Sequence, residues 1–245
     1  MTYTNTFCTL IASAAFIMSF SKPGFQPTVP SYTYDTAVNT AFYQGSNADF
    51  NCASVAVIKA SLCTFGQGNI FKSSQYSNGS TTVVLRNNEQ VIVTDQDQAA
   101  ANAKCGFIFV HDSSIFKTAR LMYAVMAKKA VLQSTVSYPN GPNPFQSCQD
   151  LTSSLLLLHG EKGGINAEYL PVLLGLKTVN TNPSVKNGVT PYVFGNTYHA
   201  VFAFNAYFDN YGQNKRLTFF SFWAHYSLLH PGNSLNDTRF LIKDI

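Results

Sequence analysis

Two long aromatic segments near the end of the chain constrain its fold more than any other feature. Tyr198–Phe208 alternates with period two, which places Phe202, Phe204 and Phe208 on one face and His199, Val201, Ala203 and Tyr207 on the other. Arg216–Tyr226 (RLTFFSFWAHY) does the same, with Phe220 and Phe222 on one face and Phe219, Trp223 and His225 on the other. The connector Asp209-Asn210-Tyr211-Gly212-Gln213-Asn214 carries turn chemistry, so the pair reads as an antiparallel hairpin. Aromatics on both faces call for cover on both sides, unlike a sheet with one wet face. The Ile165–Leu176 segment, read as a helix interrupted by Pro171, is expected on one side, and the first half of the chain or a second subunit on the other. Trp223 is expected to be buried.

The remaining pattern gives an α+β, β-rich class with antiparallel sheets, as a barrel or a sandwich, and one main helix. Val55–Ile58 reads as a strand, and Thr81–Leu85 and Gln90–Thr94 read as a hairpin. Lys104–His111 reads as a strand with a continuous apolar stretch. Asp112 supplies N-cap chemistry for a helix over Phe116–Ala130, where Phe116, Ala119, Tyr123, Met126 and Ala130 recur at three- and four-residue spacing. Leu132–Tyr138, Leu155–Leu158 and Thr238–Ile242 read as further strands, and 178–190 as a polar loop. The expected organisation is a leader over 1–21, a disulfide-stapled domain over 22–160, and a second region over 161–245 with the aromatic hairpin, separate or part of the same domain.

Charged residues make up only 11% of the chain while 20 Phe and 13 Tyr supply ample apolar surface, a balance that excludes an intrinsically disordered chain and suits secreted, cell-surface or virion proteins. A net charge of +4 without a dense Lys/Arg stripe indicates no nucleic-acid partner. Phe7–Phe20 is apolar and too short to span a bilayer as a helix. It matches the apolar region of a secretory signal peptide, although no Lys or Arg precedes it. Loss of such a leader removes Cys8 and leaves Cys52, Cys63, Cys105 and Cys148, an even number that supports two disulfides. Three connectivities are open. Cys52–Cys63 as a local loop and Cys105–Cys148 as a staple are favoured.

The order Cys105, apolar strand, Asp112, helix 116–130, Lys128-Lys129, strand 131–136, loop, Cys148, strand 155–158 resembles the disulfide-stapled B-subunits of pertussis-like and subtilase-type toxins over about residues 52–160. The resemblance implies a small oligosaccharide-binding barrel and glycan recognition.

No nucleophile elbow, HExxH or complete phosphate loop is present, and no Cys/His spacing suits a metal, so neither cofactor nor metal is expected. Asp95 and Asp97 read as a turn and Asp112 as a cap, rather than as a hydrolytic carboxylate pair. His111 and Asp112 are adjacent and point apart on a strand. His199 and His225 are expected to face each other across the hairpin, with no Ser or Cys assigned as their nucleophile. The sequons at Asn78 and Asn236 are candidate glycan acceptors. The resulting expectation is a secreted, homo-oligomeric protein that binds a glycan or receptor through Tyr207, Tyr211, Trp223, His199 and His225, without catalysis. The alternatives are a self-associating capsid or surface-layer component and a hydrolase with a carboxylate or His site.

Overall fold

The computed structural model describes residues 38–45, 51–138, 141–161, 164–180, 191–195, 199–204, 207–216 and 238–244. The fold is α+β with antiparallel sheets. Its first long element, α1 (Cys52–Phe65), is a helix where a strand is expected at Val55–Ile58. Ten successive residues, Ser54–Cys63, are buried. A helix apolar all round is a core helix, and its polar side chains are satisfied internally. Ser61 Oγ donates to the Val57 carbonyl at 2.7 Å, and Ser54 Oγ to the Leu158 carbonyl at 3.0 Å.

A three-stranded meander follows: β2 (Ser73–Ser77), β3 (Ser80–Val84) and β4 (Gln90–Thr94). The expected hairpin is its second half, with Ser80 opposite Thr94 and Val84 opposite Gln90. Val83, Val91 and Val93 face inward. The short strand β1 (Phe42–Gln44) pairs with β5 (Phe107–Phe109), which is all that becomes strand within Lys104–His111.

Between β4 and β5 lies α2 (Asp95–Lys104). Asp95 and Asp97 belong to its first turn rather than to a free turn. Thr94 and Asp97 close a capping box, each side chain bonded to the other's backbone N–H. Burial acts to raise the Asp97 carboxyl, but the Thr94 N–H and hydroxyl and the Lys128 ammonium outweigh it and hold the group below its ordinary value. Stability from this group is complete above the unfolded-state value of about 3.9 and is lost as pH falls through the lower folded value. Melting temperature followed into acid should therefore fall less steeply in Asp97→Asn than in the parent, and parallel curves would contradict this.

The main helix, α3 (Ser113–Gln133), contains the expected 116–130 span, and the Asp112 carboxylate caps the N–H groups of Ser114 and Ile115. It runs through Leu132 and Gln133, where a strand is expected. Leu155–Leu158 is likewise helical, within α4 (Leu151–Leu158), because Asp150 and Ser153 form a second capping box. The Ile165–Leu176 segment becomes a 3-10 helix over Ala167–Leu174 with Pro171 inside it, and Leu176–Asn180 is a strand that takes in the first three residues of the loop expected over 178–190. Pro171 lacks the N–H that an α-helix interior requires.

Gly175 ends that helix at φ 67°, and a Cβ there would meet Asn87 Oδ1 at 2.6 Å and Leu85 Cβ at 2.8 Å. Gly175→Ala should therefore destabilise by about 2 kcal/mol, read as a fall in the denaturation midpoint.

The large sheet has strand order β10-β9-β8-β7-β11-β6, all antiparallel. Its strands are β6 (Leu176–Asn180), β7 (Tyr192–Gly195), β8 (Ala200–Phe204), β9 (Tyr207–Asn210), β10 (Gln213–Arg216) and β11 (Thr238–Asp244). The expected single strand over 198–208 carries two strands, β8 and β9; β9 and β10 form a hairpin within and beside the expected connector 209–214, and the expected return strand lies outside the described residues beyond Arg216. The expected final strand at Thr238 is β11. Helix α1 lies against β7, β8 and β11, and the 3-10 helix against β6 and β11. Ala200, Val201, Phe202 and Ala203 are all buried, so β8 is covered on both faces as its composition requires. One core runs from Val38 through α1 and α3 to Phe202, joining the two expected regions. The expected leader over 1–21, Cys8, Trp223, His225, His230 and Asn236 lie outside the described residues.

Candidate functional site

The first residue of α1 is Cys52, and the first turn of any helix leaves backbone N–H groups without intrahelical partners. The residue before it, Asn51, does not cap them; its amide instead donates to the Cys105 carbonyl. Of those N–H groups, the ones of Cys52 and Ala53 act on the thiol. Burial pushes the Cys52 thiol up, while the backbone N–H groups of Ala200, Ala53 and Cys52 itself pull against it. The resting group is therefore a neutral thiol poised over a positive helix end.

The Ala200 contact brings in the second component. His199 immediately precedes β8, so the N–H that reaches the sulfur belongs to its next neighbour. The His199 ring is half-buried and lies flat on Tyr211, with centroids 5.1 Å apart and planes 14° apart. Tyr211 and Gly212 form the two-residue turn between β9 and β10, at φ 52° and 80°, the left-handed pair that such tight hairpins need. Gly212 packs on the Tyr43 ring, where a Cβ would fall 2.7 Å from Cδ1. Burial raises the Tyr211 phenol, as does any negative charge on Cys52.

Asp209, on β9, completes the wall. Its Oδ1 accepts the Gly212 N–H at 2.8 Å and its Oδ2 pairs with Lys59 Nζ at 2.5 Å. Lys59 is 0% exposed, donates also to the Asn39 carbonyl at 2.6 Å, and lies 5.0 Å from the Phe42 ring centroid. Burial lowers the Lys59 amine and Asp209 opposes that effect. Gln44 closes the cleft from β1. Cys52, His199, Asp209, Tyr211 and Gln44 thus share one small cavity of about 10 Å³, backed by Val55 and Phe202, the room of about one water molecule.

Of the residues expected to bind a ligand, the structure brings His199 and Tyr211 together here. Tyr207 lies on the same hairpin and is exposed. Trp223 and His225 lie outside the described residues. His111 bonds Thr40 at 3.2 Å, while Asp112 caps α3, so the two form no acid–base pair. Asp95 accepts the Tyr76 hydroxyl at 2.9 Å.

Among the described residues no two cysteines stand at disulfide distance, so neither favoured pairing is seen. Cys52 and Cys63 stand eleven positions apart on one helix, about 16 Å along its axis at 1.5 Å per residue, far beyond disulfide reach. Cys105 caps α2 and Cys148 precedes α4, so the strand–helix–strand unit whose ends were to meet is absent.

Cys52, Gln44, Lys59 and Asp209 are the members that sequence reasoning misses. The available signal is a cysteine opening an apolar helix and a histidine opening an apolar strand. Among the described residues no three His, Cys, Asp or Glu side chains are grouped to hold a metal, and no described helix is long and apolar enough to cross a membrane. No family model, curated protein or solved structure matches this chain.

Proposed function

We propose that this chain is a thiol-dependent acyl-transfer enzyme, a hydrolase of amide or ester bonds, with Cys52 as nucleophile and His199 as general base. The observation that carries the reading is that Cys52, at the first turn of α1, and His199, immediately before β8, line one cavity. Burial holds the Cys52 thiol neutral, so its activation rests on the His199 imidazole of the same cavity taking the proton during attack. In the proposed step His199 takes the thiol proton as sulfur bonds to the substrate carbonyl carbon. The proton then passes to the leaving amine or alcohol as its bond to carbon breaks. Water, deprotonated by the same imidazole, hydrolyses the thioester and restores the thiol. Gln44, which lines the same cavity, is the proposed donor to the tetrahedral oxyanion. Tyr211 shields the imidazole from solvent.

Iodoacetamide with peptide-resolved mass spectrometry tests this. Near neutral pH Cys52 should react faster than Cys63, Cys105 and Cys148, and His199→Ala should remove that advantage. Equal rates at all four, or a Cys52 rate indifferent to His199, would contradict the proposal.

A second reading, glycan or receptor recognition without catalysis, is favoured by the exposed rings of Tyr207 and Tyr211 on the hairpin rim. Glycan-array binding that survives Cys52→Ala and is lost in Tyr211→Ala would support it.

A further inference from the structure

We infer that Lys59 is a positioning residue that fixes His199 against Cys52 from beneath the cleft; this rests on the reading of those two residues as base and nucleophile. Lys59 is seven positions after Cys52 on α1, so it belongs to the same rigid element as the thiol. It reaches the hairpin that supports the imidazole through an unbroken series of contacts. The Lys59 ammonium bonds Asp209 Oδ2 at 2.5 Å. The other carboxylate oxygen holds the Gly212 N–H at 2.8 Å, which fixes the Tyr211-Gly212 turn. Tyr211 in turn lies flat under the His199 ring at 5.1 Å. The buried ion pair thus rivets the helix that carries the nucleophile to the turn that carries the platform for the base.

The surroundings argue that this placement is specific. A lysine with no exposed surface is costly to keep unless it is paired and hydrogen-bonded, and here Asp209, the Asn39 carbonyl and the Phe42 ring face it on three sides. Apolar residues of similar volume often replace buried ion pairs without loss of stability, so packing alone does not require a charge at this position. The titratable groups facing the pair and the cleft are Cys63 on α1, Cys52 at its start, His199 before β8 and Tyr211 after β9.

The test uses Lys59→Met, which keeps the stem and removes the charge, beside Lys59→Arg and the double variant Lys59→Met/Asp209→Leu, which leaves no unpaired buried carboxylate. Cys52 alkylation by iodoacetamide is followed across the pH range on the full chain, with circular dichroism to confirm folding. The expected result is a Lys59→Met profile that loses its neutral-pH reactivity, by about tenfold, and coincides with that of His199→Ala. Lys59→Arg should recover part of it. If Lys59→Met does not fold, the double variant should fold and show the same loss. A folded Lys59→Met or double variant whose profile superimposes on the parent overturns the inference while leaving the nucleophile–base reading intact. A parent profile already identical to that of His199→Ala overturns both.

Discussion

Replacing Cys52 by alanine should abolish acyl transfer while leaving the fold in place, with a loss of at least about a thousandfold in turnover of an activated ester. The two halves of this expectation come from different observations. Loss of turnover follows from the position of the thiol, the only sulfur lining the cleft with His199 among the described residues. Retention of the fold follows from its surroundings. Cys52 is only half-buried at the first turn of α1, and the burial that anchors the helix begins at Ser54. Removing one sulfur there should cost about 1 kcal/mol. Equal thermal melts with and without the thiol, together with absent turnover, would separate a chemical role from a structural one.

The largest stability effect is expected at Tyr123, which does not line the cleft. Its side chain is fully enclosed in the middle of α3. The ring meets Phe107 edge-on at 5.4 Å and 70°, and the hydroxyl faces the Leu155 carbonyl at 3.4 Å. Phe107 stacks on Phe42, the ring beneath Lys59. Tyr123 therefore links α3, α4 and the β1–β5 pair in one core. Tyr123→Ala should cost about 3–5 kcal/mol through lost burial and the cavity left behind, measured by chemical denaturation. Tyr123→Phe should retain most of that stability, because only the hydroxyl is lost. A variant Tyr123→Ala within about 1 kcal/mol of the parent would show that this centre can collapse freely.

The elements legible in the sequence are those where period and punctuation agree. Helix α3 has both a cap at Asp112 and a three-and-four repeat, and the β3–β4 hairpin has alternating valines around a polar turn. Helix α1 is buried all round and α4 ends in a run of four leucines, and such an unbroken apolar run reads equally well as a buried strand. Val55-Ala56-Val57-Ile58 reads as strand on β-branched content, yet the small residues around it, Ala53, Ser54, Ala60 and Ser61, permit close helix packing. For α4 the deciding signal was present, since Asp150 and Ser153 stand at capping-box spacing.

The site divides in the same way. His199 and Tyr211 stand out within the aromatic segment and do meet. Cys52 is hidden by the even number of cysteines remaining after Cys8, which invites pairing, and by the misread helix, which hides that it sits at an N-terminus. Lys59 and Asp209 are far apart in sequence, and only the packing of α1 against the sheet brings them together.

The central claim is that Cys52 attacks a carbonyl carbon with His199 as its base. Pre-steady-state hydrolysis of p-nitrophenyl acetate measures this most directly, because a covalent acyl intermediate releases the first product in a burst. The expected result is a burst of p-nitrophenol matching the protein concentration, an acetyl group on Cys52 in the quenched protein, and loss of the burst in His199→Ala. Hydrolysis without a burst, or an acyl group found on another residue, would contradict it.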